Sequence, residues 1–326
     1  MKAIYVIKIV VCLGVIFWDF TVCYGQYVVV EGEIEHEYYR LDPGVEELMD
    51  GYDVTFYWLD LEVSNLSNYL SGNVLIEARV KEDLLDTIVF QLTSVKTIDS
   101  IFLNHQKHPF VHENHLLTLI PDDPLAANSS FTVRVFYEGG TSGLFYTGVH
   151  NKRSGAWGNR VTWTFSQPFY AYKWFPCKQT GRDKADSAYI YLTVNASLKA
   201  VSNGVLTEIT DLENGNLRYE WKTWHPVMYD MIVFAVSDYL EYDYPVYLEG
   251  IDDSLDVDHF IYSSEYLEAY QLKLDSIELL VQYFSSLFGP YPYWPEKYGY
   301  AIVPGVPCTV EQNTLVTMPE SLDFFA

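Results

Sequence analysis

Between about residue 50 and residue 235, apolar and polar positions alternate with a period of two, the signature of half-buried strands. Val74, Ile76, Ala78 and Val80 form one such run; Phe131, Val133, Val135 and Tyr137 form a second. Ile190, Leu192 and Val194 form a third. Asn203-Gly204 and Asn214-Gly215 read as hairpin turns, because Asn and Gly accept positive φ at low cost. Gly139-Gly140-Thr141-Ser142-Gly143 is a loop between strands. No helical period interrupts the region, so it predicts one large antiparallel sheet or a sandwich.

Near residue 240 the period changes. Ser264 is placed to cap a helix whose apolar face is Leu267, Tyr270, Leu274, Ile277, Val281, Phe284 and Phe288, with Leu280 alongside. Gly289 and Pro290 end it, and Tyr298 to Val303 then reads as a buried strand. Helix followed by strand marks the onset of a mixed α/β domain. The closing Phe324-Phe325-Ala326, with neither cap nor polar tail, reads as a cut through that domain. The expected division is a leader over 1–25, a β domain over 26–239 and a truncated α/β domain over 240–326.

Composition narrows the function classes. Aromatic residues make up 17% of the chain, 28 of them tyrosines, which favours β structure. A net charge of −24 would repel phosphates and excludes nucleic acid as a partner. It suits a protein outside the cytoplasm, or one handling cationic groups such as peptide α-amines. Lys2 and Lys8 precede an apolar run from Ile9 to Trp18, and Cys23-Tyr24-Gly25 offers a small-residue cleavage site. The expectation is export to the periplasm, the cell surface or the medium, with a membrane contact only if the leader stays uncleaved. The apolar run is too short to span a bilayer. Beyond the leader, Cys177 and Cys308 either pair in an oxidising compartment or stand as buried thiols.

His105, His108, His112 and His115 are the densest group of candidate metal ligands. A zinc-binding helix needs two histidines four apart, on one face. His112 and His115 are three apart, and Pro109 with the surrounding period of two argues for strands. They are expected to be solvated hairpin histidines. His36, His150, His225 and His259 stand alone. No phosphate loop, nucleophile elbow or paired-cysteine site is present, so no catalytic residue and no metal ligand is assigned within the chain.

Two stretches are more specific. Ser166-Gln167-Pro168, Trp174-Phe175-Pro176-Cys177, Asp183-Lys184-Ala185 and Ala200-Val201-Ser202-Asn203-Gly204 follow one another in that order. Later, Phe288-Gly289-Pro290-Tyr291-Pro292, Lys297-Tyr298-Gly299-Tyr300 and Val303-Pro304-Gly305 lead into Val310-Glu311-Gln312-Asn313-Thr314. This series resembles the aminopeptidase N family of gluzincin metallopeptidases, from about residue 40 onward, in its N-terminal portion only. The resemblance implies a saddle-like antiparallel β domain followed by the beginning of a thermolysin-like catalytic domain. It implies zinc-assisted removal of N-terminal residues from peptides, with zinc polarising the carbonyl and a glutamate as general base. Glu311 matches the glutamate that holds the substrate's α-amine, and Gln167 matches a glutamine that reaches the same site.

The chain departs from the family in three ways, the first being that an Arg common after the glutamine segment is absent, with Tyr172 and Lys173 nearby. Cys308-Thr309-Val310-Glu311-Gln312 stands where the family has Gly, a variable residue, Met, Glu and then Asn or His. The zinc-binding HExxH motif, its third ligand and the general base would fall beyond Ala326. Residues 26–326 alone are therefore expected to bind no stoichiometric zinc and to release nothing from an aminoacyl anilide. Two other readings remain: a secreted β-sandwich that binds peptides or carbohydrates, and an inactive aminopeptidase relative.

Overall fold

The computed structural model describes residues 23–24, 27–28, 43–141, 147–166, 169–306 and 308–322; most of the leader, Gln167 and the last four residues lie outside these. The strands central to the architecture are β1 (Tyr52–Val63), β2 (Leu70–Val80), β3 (Ile88–Gln91), β4 (Thr97–Leu103), β5 (Gln106–Lys107), β6 (Val111–Glu113) and β7 (Leu116–Leu119). They continue with β8 (Ser130–Gly139), β9 (Gly148–Arg153), β10 (Arg160–Phe165), β11 (Ser187–Asn195), β12 (Lys199–Ser202) and β13 (Val205–Asp211). The series closes with β14 (Asn216–Thr223), β15 (Phe234–Ser237), β16 (Leu240–Tyr247), β17 (Ser254–Ile261), β18 (Tyr298–Val303), β19 (Val310–Gln312) and β20 (Leu315–Pro319). Two helices, α1 (Pro43–Met49) and α2 (Ser264–Phe288), complete the frame.

The chain is mainly β. Its largest sheet has eight strands in the order β13-β14-β11-β1-β2-β8-β4-β5, antiparallel except where β11 runs parallel to β1. The period-two runs lie in this sheet with their apolar sides inward: Val74, Ile76, Phe131, Val133, Ile190 and Leu192 are all essentially inaccessible. Beside it lie a four-stranded sheet, β9-β10-β15-β12, and a three-stranded one, β3-β7-β6. The expected single sheet or sandwich is thus an eight-stranded sheet with smaller sheets against it.

The last sheet is mixed, in the order β16-β17-β18-β20-β19, with β17, β18 and β20 parallel. Helix α2 supplies the crossover that a parallel β17–β18 pair requires. Its N-cap is Ser263, one residue before the expected Ser264, and the Ser263 hydroxyl accepts from the Tyr266 amide. Leu274, Ile277 and Val281 are buried as expected, whereas Phe284 is 42% and Phe288 81% exposed. Length explains the difference. Twenty-five helical residues reach about 37 Å, whereas an eight-residue strand such as β17 reaches about 26 Å. The final turns of α2 overshoot the sheet.

One continuous buried cluster joins the β region to this last sheet, from Tyr52 through Leu192 and Phe234 to Ile302 and Leu322. Cys177 is a free, fully buried thiol and does not pair with Cys308. Among the described residues no helix is long and apolar enough to cross a membrane.

Candidate functional site

Glu311 is the central residue of β19, a three-residue strand at the edge of the five-stranded sheet. Val310 and Gln312 on either side are buried while Glu311 is exposed, as period-two geometry dictates. Cross-strand register puts Glu311 opposite Val316, Val316 beside Tyr300, Tyr300 beside His259 and His259 opposite Tyr242. Partners in register share a face, so all five lie on one side of the sheet. It is the side that carries α2: the Tyr242 hydroxyl donates to Asp275 at 2.6 Å, and the Tyr244 hydroxyl to the Leu274 carbonyl at 2.7 Å.

Around Glu311 the surface is aromatic. Tyr291 and Tyr298 meet edge to face at 5.1 Å between ring centres, and Tyr298 and Tyr300 at 5.0 Å. Burial pushes the hydroxyl pKa of all three upward, with the Glu311 carboxylate adding to the shift; Tyr298 reaches about 12. The tyrosines therefore stay neutral beside the Glu311 carboxylate. An anionic carboxylate beside neutral aromatic rings suits a protonated amine, through a charge-assisted hydrogen bond and ring faces that attract cations.

The hairpin that carries Glu311 is tied down at its tip. β19 and β20 are joined through Asn313 and Thr314, with Asn313 at a φ of 56°, a left-handed value that Asn tolerates. The Gln312 carbonyl accepts from the Asn203 side chain at 2.7 Å, and the Asn313 carbonyl from the Tyr291 hydroxyl at 3.0 Å. The Thr314 carbonyl accepts from the Gly299 amide at 3.0 Å, and its hydroxyl from the Gly204 amide at 2.7 Å. Behind the 203–204 turn, the buried Lys297 ammonium donates to the Ser202 and Gly204 carbonyls at 2.6 and 2.5 Å and sits 3.7 Å over the Trp221 ring. Burial lowers the Lys297 pKa to about 7, against the raising pull of Asp258 and Glu296.

Gln167 lies outside the described residues, but the chain on either side of it is anchored. Ser166 is fully buried and its hydroxyl accepts from the Trp174 indole at 2.8 Å, while the Tyr170 amide donates to the Ser166 carbonyl at 2.8 Å. The other quoted motifs are structural. Phe175 packs against Tyr57 and Trp174, and Cys177 exchanges both backbone hydrogen bonds with Gln91. Asp183 pairs with Lys178 inside the core at 2.6 Å. Nothing in local pattern marked Lys297 or the Asn203 amide for these contacts, since each partner is roughly a hundred positions away.

The histidine group is less solvated than expected. His105 is exposed, but His108 is buried and bonds the Pro109 carbonyl at 2.7 Å. His112 bonds the Leu92 carbonyl at 2.9 Å, and His115 accepts from the Ser94 amide at 2.9 Å. The His112 and His115 imidazoles tie the β6–β7 hairpin to the neighbouring segment 92–94. Among the described residues no group of three or more His, Cys, Asp or Glu is placed to hold a metal ion.

A mainly antiparallel β region leading into a mixed sheet with one long crossover helix is the fold on which this site rests. The model of the peptidase M1 N-terminal domain matches residues 50–228, more than half of the chain, and the chain belongs to that family. The fold is shared with the M1 zinc metallopeptidase from Deinococcus radiodurans at a TM-score of 0.69 and 22% identity, over 84% of this chain and 61% of that one. A two-domain M1 zinc metallopeptidase variant bound to L-arginine gives 0.69 at 23% identity, over 83% and 61%. A variant of the Deinococcus radiodurans enzyme bound to a Tyr-Ser-Ala substrate gives 0.67 at 22%, over 84% and 61%. The chain thus spans about 61% of the length of these structures. No curated relative matches it.

Proposed function

We propose that this chain forms the amine-recognition side of an exported zinc aminopeptidase, with Glu311 as the residue that binds the free N-terminus of a peptide. The observation that carries the reading is the placement of Glu311, exposed on an edge strand whose hairpin tip is fixed at four points. A carboxylate so held can set register: a bond to the α-amine places the first peptide bond, and no other, at the reacting centre. Such a bond contributes about 1.5–3 kcal/mol. Ligands reported for the structural neighbours, L-arginine and Tyr-Ser-Ala, carry such an amine.

In this proposal residues 26–239 are the N-terminal β domain and 240–326 the start of a thermolysin-like catalytic domain. Gln167 is assigned to the same amine site. The described side chains do not fit a zinc ion, so its ligands and the general base are assigned outside them and no step is derived through the metal. Export rests on the leader pattern of residues 1–25.

Carbohydrate binding, the rival class, needs bare ring faces for stacking. The aromatic row on the outer face of the eight-stranded sheet offers few, because side-chain cations cover it: Arg134 lies 5.1 Å over Trp58, Arg218 4.6 Å over Tyr191 and Lys222 5.2 Å over Tyr189. The test compares an aminoacyl anilide with its N-acetylated form, using the complete enzyme of which this chain is proposed to be a part, before and after chelation. Cleavage of the free amine alone, abolished by chelator, is expected; equal cleavage of both forms refutes amine recognition.

A further inference from the structure

Asn203 links two parts of the molecule that are 109 residues apart in sequence. Its side-chain amide nitrogen donates to the Gln312 carbonyl at 2.7 Å, and its side-chain oxygen accepts from the Val233 amide at 2.9 Å. Both bonds are buried, and Asn203 is inaccessible to solvent. Val233 adjoins β15, in the four-stranded sheet of the β region, whereas Gln312 follows Glu311 directly on β19. One side chain therefore connects the β region to the strand that bears the proposed amine ligand.

The turn that presents Asn203 has no freedom to drift. Gly204 has a φ of +81°, and a Cβ there would fall 2.0 Å from the Lys222 carbonyl oxygen. On one side Lys297 holds the carbonyls of Ser202 and Gly204; on the other, the Gly204 amide reaches the Thr314 hydroxyl. β19 is three residues long and bonded to a single neighbour, β20, so its own ladder contributes little restraint. Its position depends on what holds the hairpin tip.

We propose that Asn203 is a positioning residue for Glu311, setting the edge strand so that the carboxylate meets the substrate amine. This rests on the reading of Glu311 given above. Asn203→Asp separates the two bonds: it keeps an acceptor for Val233 and sets an oxygen against the Gln312 carbonyl. A role confined to the Val233 side would leave Asn203→Asp like wild type.

Two measurements test the proposal. In the 326-residue chain, hydrogen exchange of residues 310–316 should accelerate about tenfold or more in Asn203→Asp, with exchange in β1 and β2 unchanged. Thr314→Val, which removes only the acceptor for Gly204, should move the same amides if Asn203 variants fail to fold. In the native enzyme, Asn203→Asp should raise KM for an aminoacyl anilide about tenfold with kcat within about twofold, the pattern of lost binding common to ground and transition states. Unchanged exchange at 310–316, or faster exchange with unaltered KM, overturns the proposal. If Glu311→Ala leaves KM and kcat untouched, the amine-site reading fails first and the positioning role falls with it, even where exchange shows that the hairpin loosened.

Discussion

Replacing Asp183 with alanine would strand an ammonium inside the β core. Lys178 and Asp183 are 2.6 Å apart, with side chains only 1% and 7% exposed. The Lys178 ammonium also donates to the Tyr52 carbonyl and lies 4.9 Å over the Tyr52 ring, while Asp183 accepts from the Val54 amide at 3.2 Å and lies beside the partly exposed Asp53. Burial lowers the Lys178 pKa, and Asp183, with a weaker pull from Asp53, opposes part of that shift, so Asp183 is the main group that makes a charge tolerable there. Removing one member of a buried pair costs about 3–5 kcal/mol, because the other is left uncompensated. At about 2–4 °C per kcal/mol for a chain of this size, Tm should fall on the order of 10 °C. Scanning calorimetry measures it. The exposed pair Lys199–Glu241, at 2.8 Å with side chains 37% and 41% exposed, is the control: Glu241→Ala should cost under about 1 kcal/mol. Lys178→Met combined with Asp183→Leu should recover most of the loss. An Asp183→Ala cost as small as that of Glu241→Ala would refute the reasoning.

Other outcomes follow from the same contacts. Gly204→Ala should lower stability by more than about 3 kcal/mol or prevent folding, since the backbone is left-handed and the methyl would collide with the Lys222 carbonyl; a melt within 1 °C of wild type would contradict this. Ser263→Ala should cost about 1 kcal/mol through loss of the α2 cap, measured by urea titration. His259, stacked between Tyr242 and Tyr300, has its pKa lowered by burial from 6.5 to about 3. Its neutral form is favoured in the folded state, so stability is intact above pH 6.5 and falls as pH drops toward 3, by up to about 1.4 kcal/mol per unit. His259→Phe should lose less stability than wild type between pH 7 and pH 4.5; equal losses would contradict the assignment.

What the sequence disclosed was whatever depends on neighbours. The runs at Val74–Val80 and Phe131–Tyr137 alternate every second residue, and their inward members are buried. The α2 helix was legible from its period, but how far it outruns the sheet depends on the length of β17, which the helical pattern does not contain. Asn203-Gly204 was recognisable as a turn. That its amide holds Gln312 was not, because the contact depends on how two distant segments pack. Buried lysines were equally hidden: Lys178 and Lys297 look like surface residues until the carbonyls, carboxylate and rings around them are known. Glu311 was singled out by resemblance, and its exposure on an edge strand was visible only once the fold was known.

The most direct test is the effect of Glu311→Ala on kcat/KM of the native protein toward an aminoacyl anilide. Loss of a charge-assisted bond of about 1.5–3 kcal/mol predicts a fall of roughly 10- to 150-fold, with Glu311→Gln nearly as impaired because the charge is gone. A kcat/KM within about twofold of wild type in both variants would contradict the assignment of Glu311 to the substrate's amine.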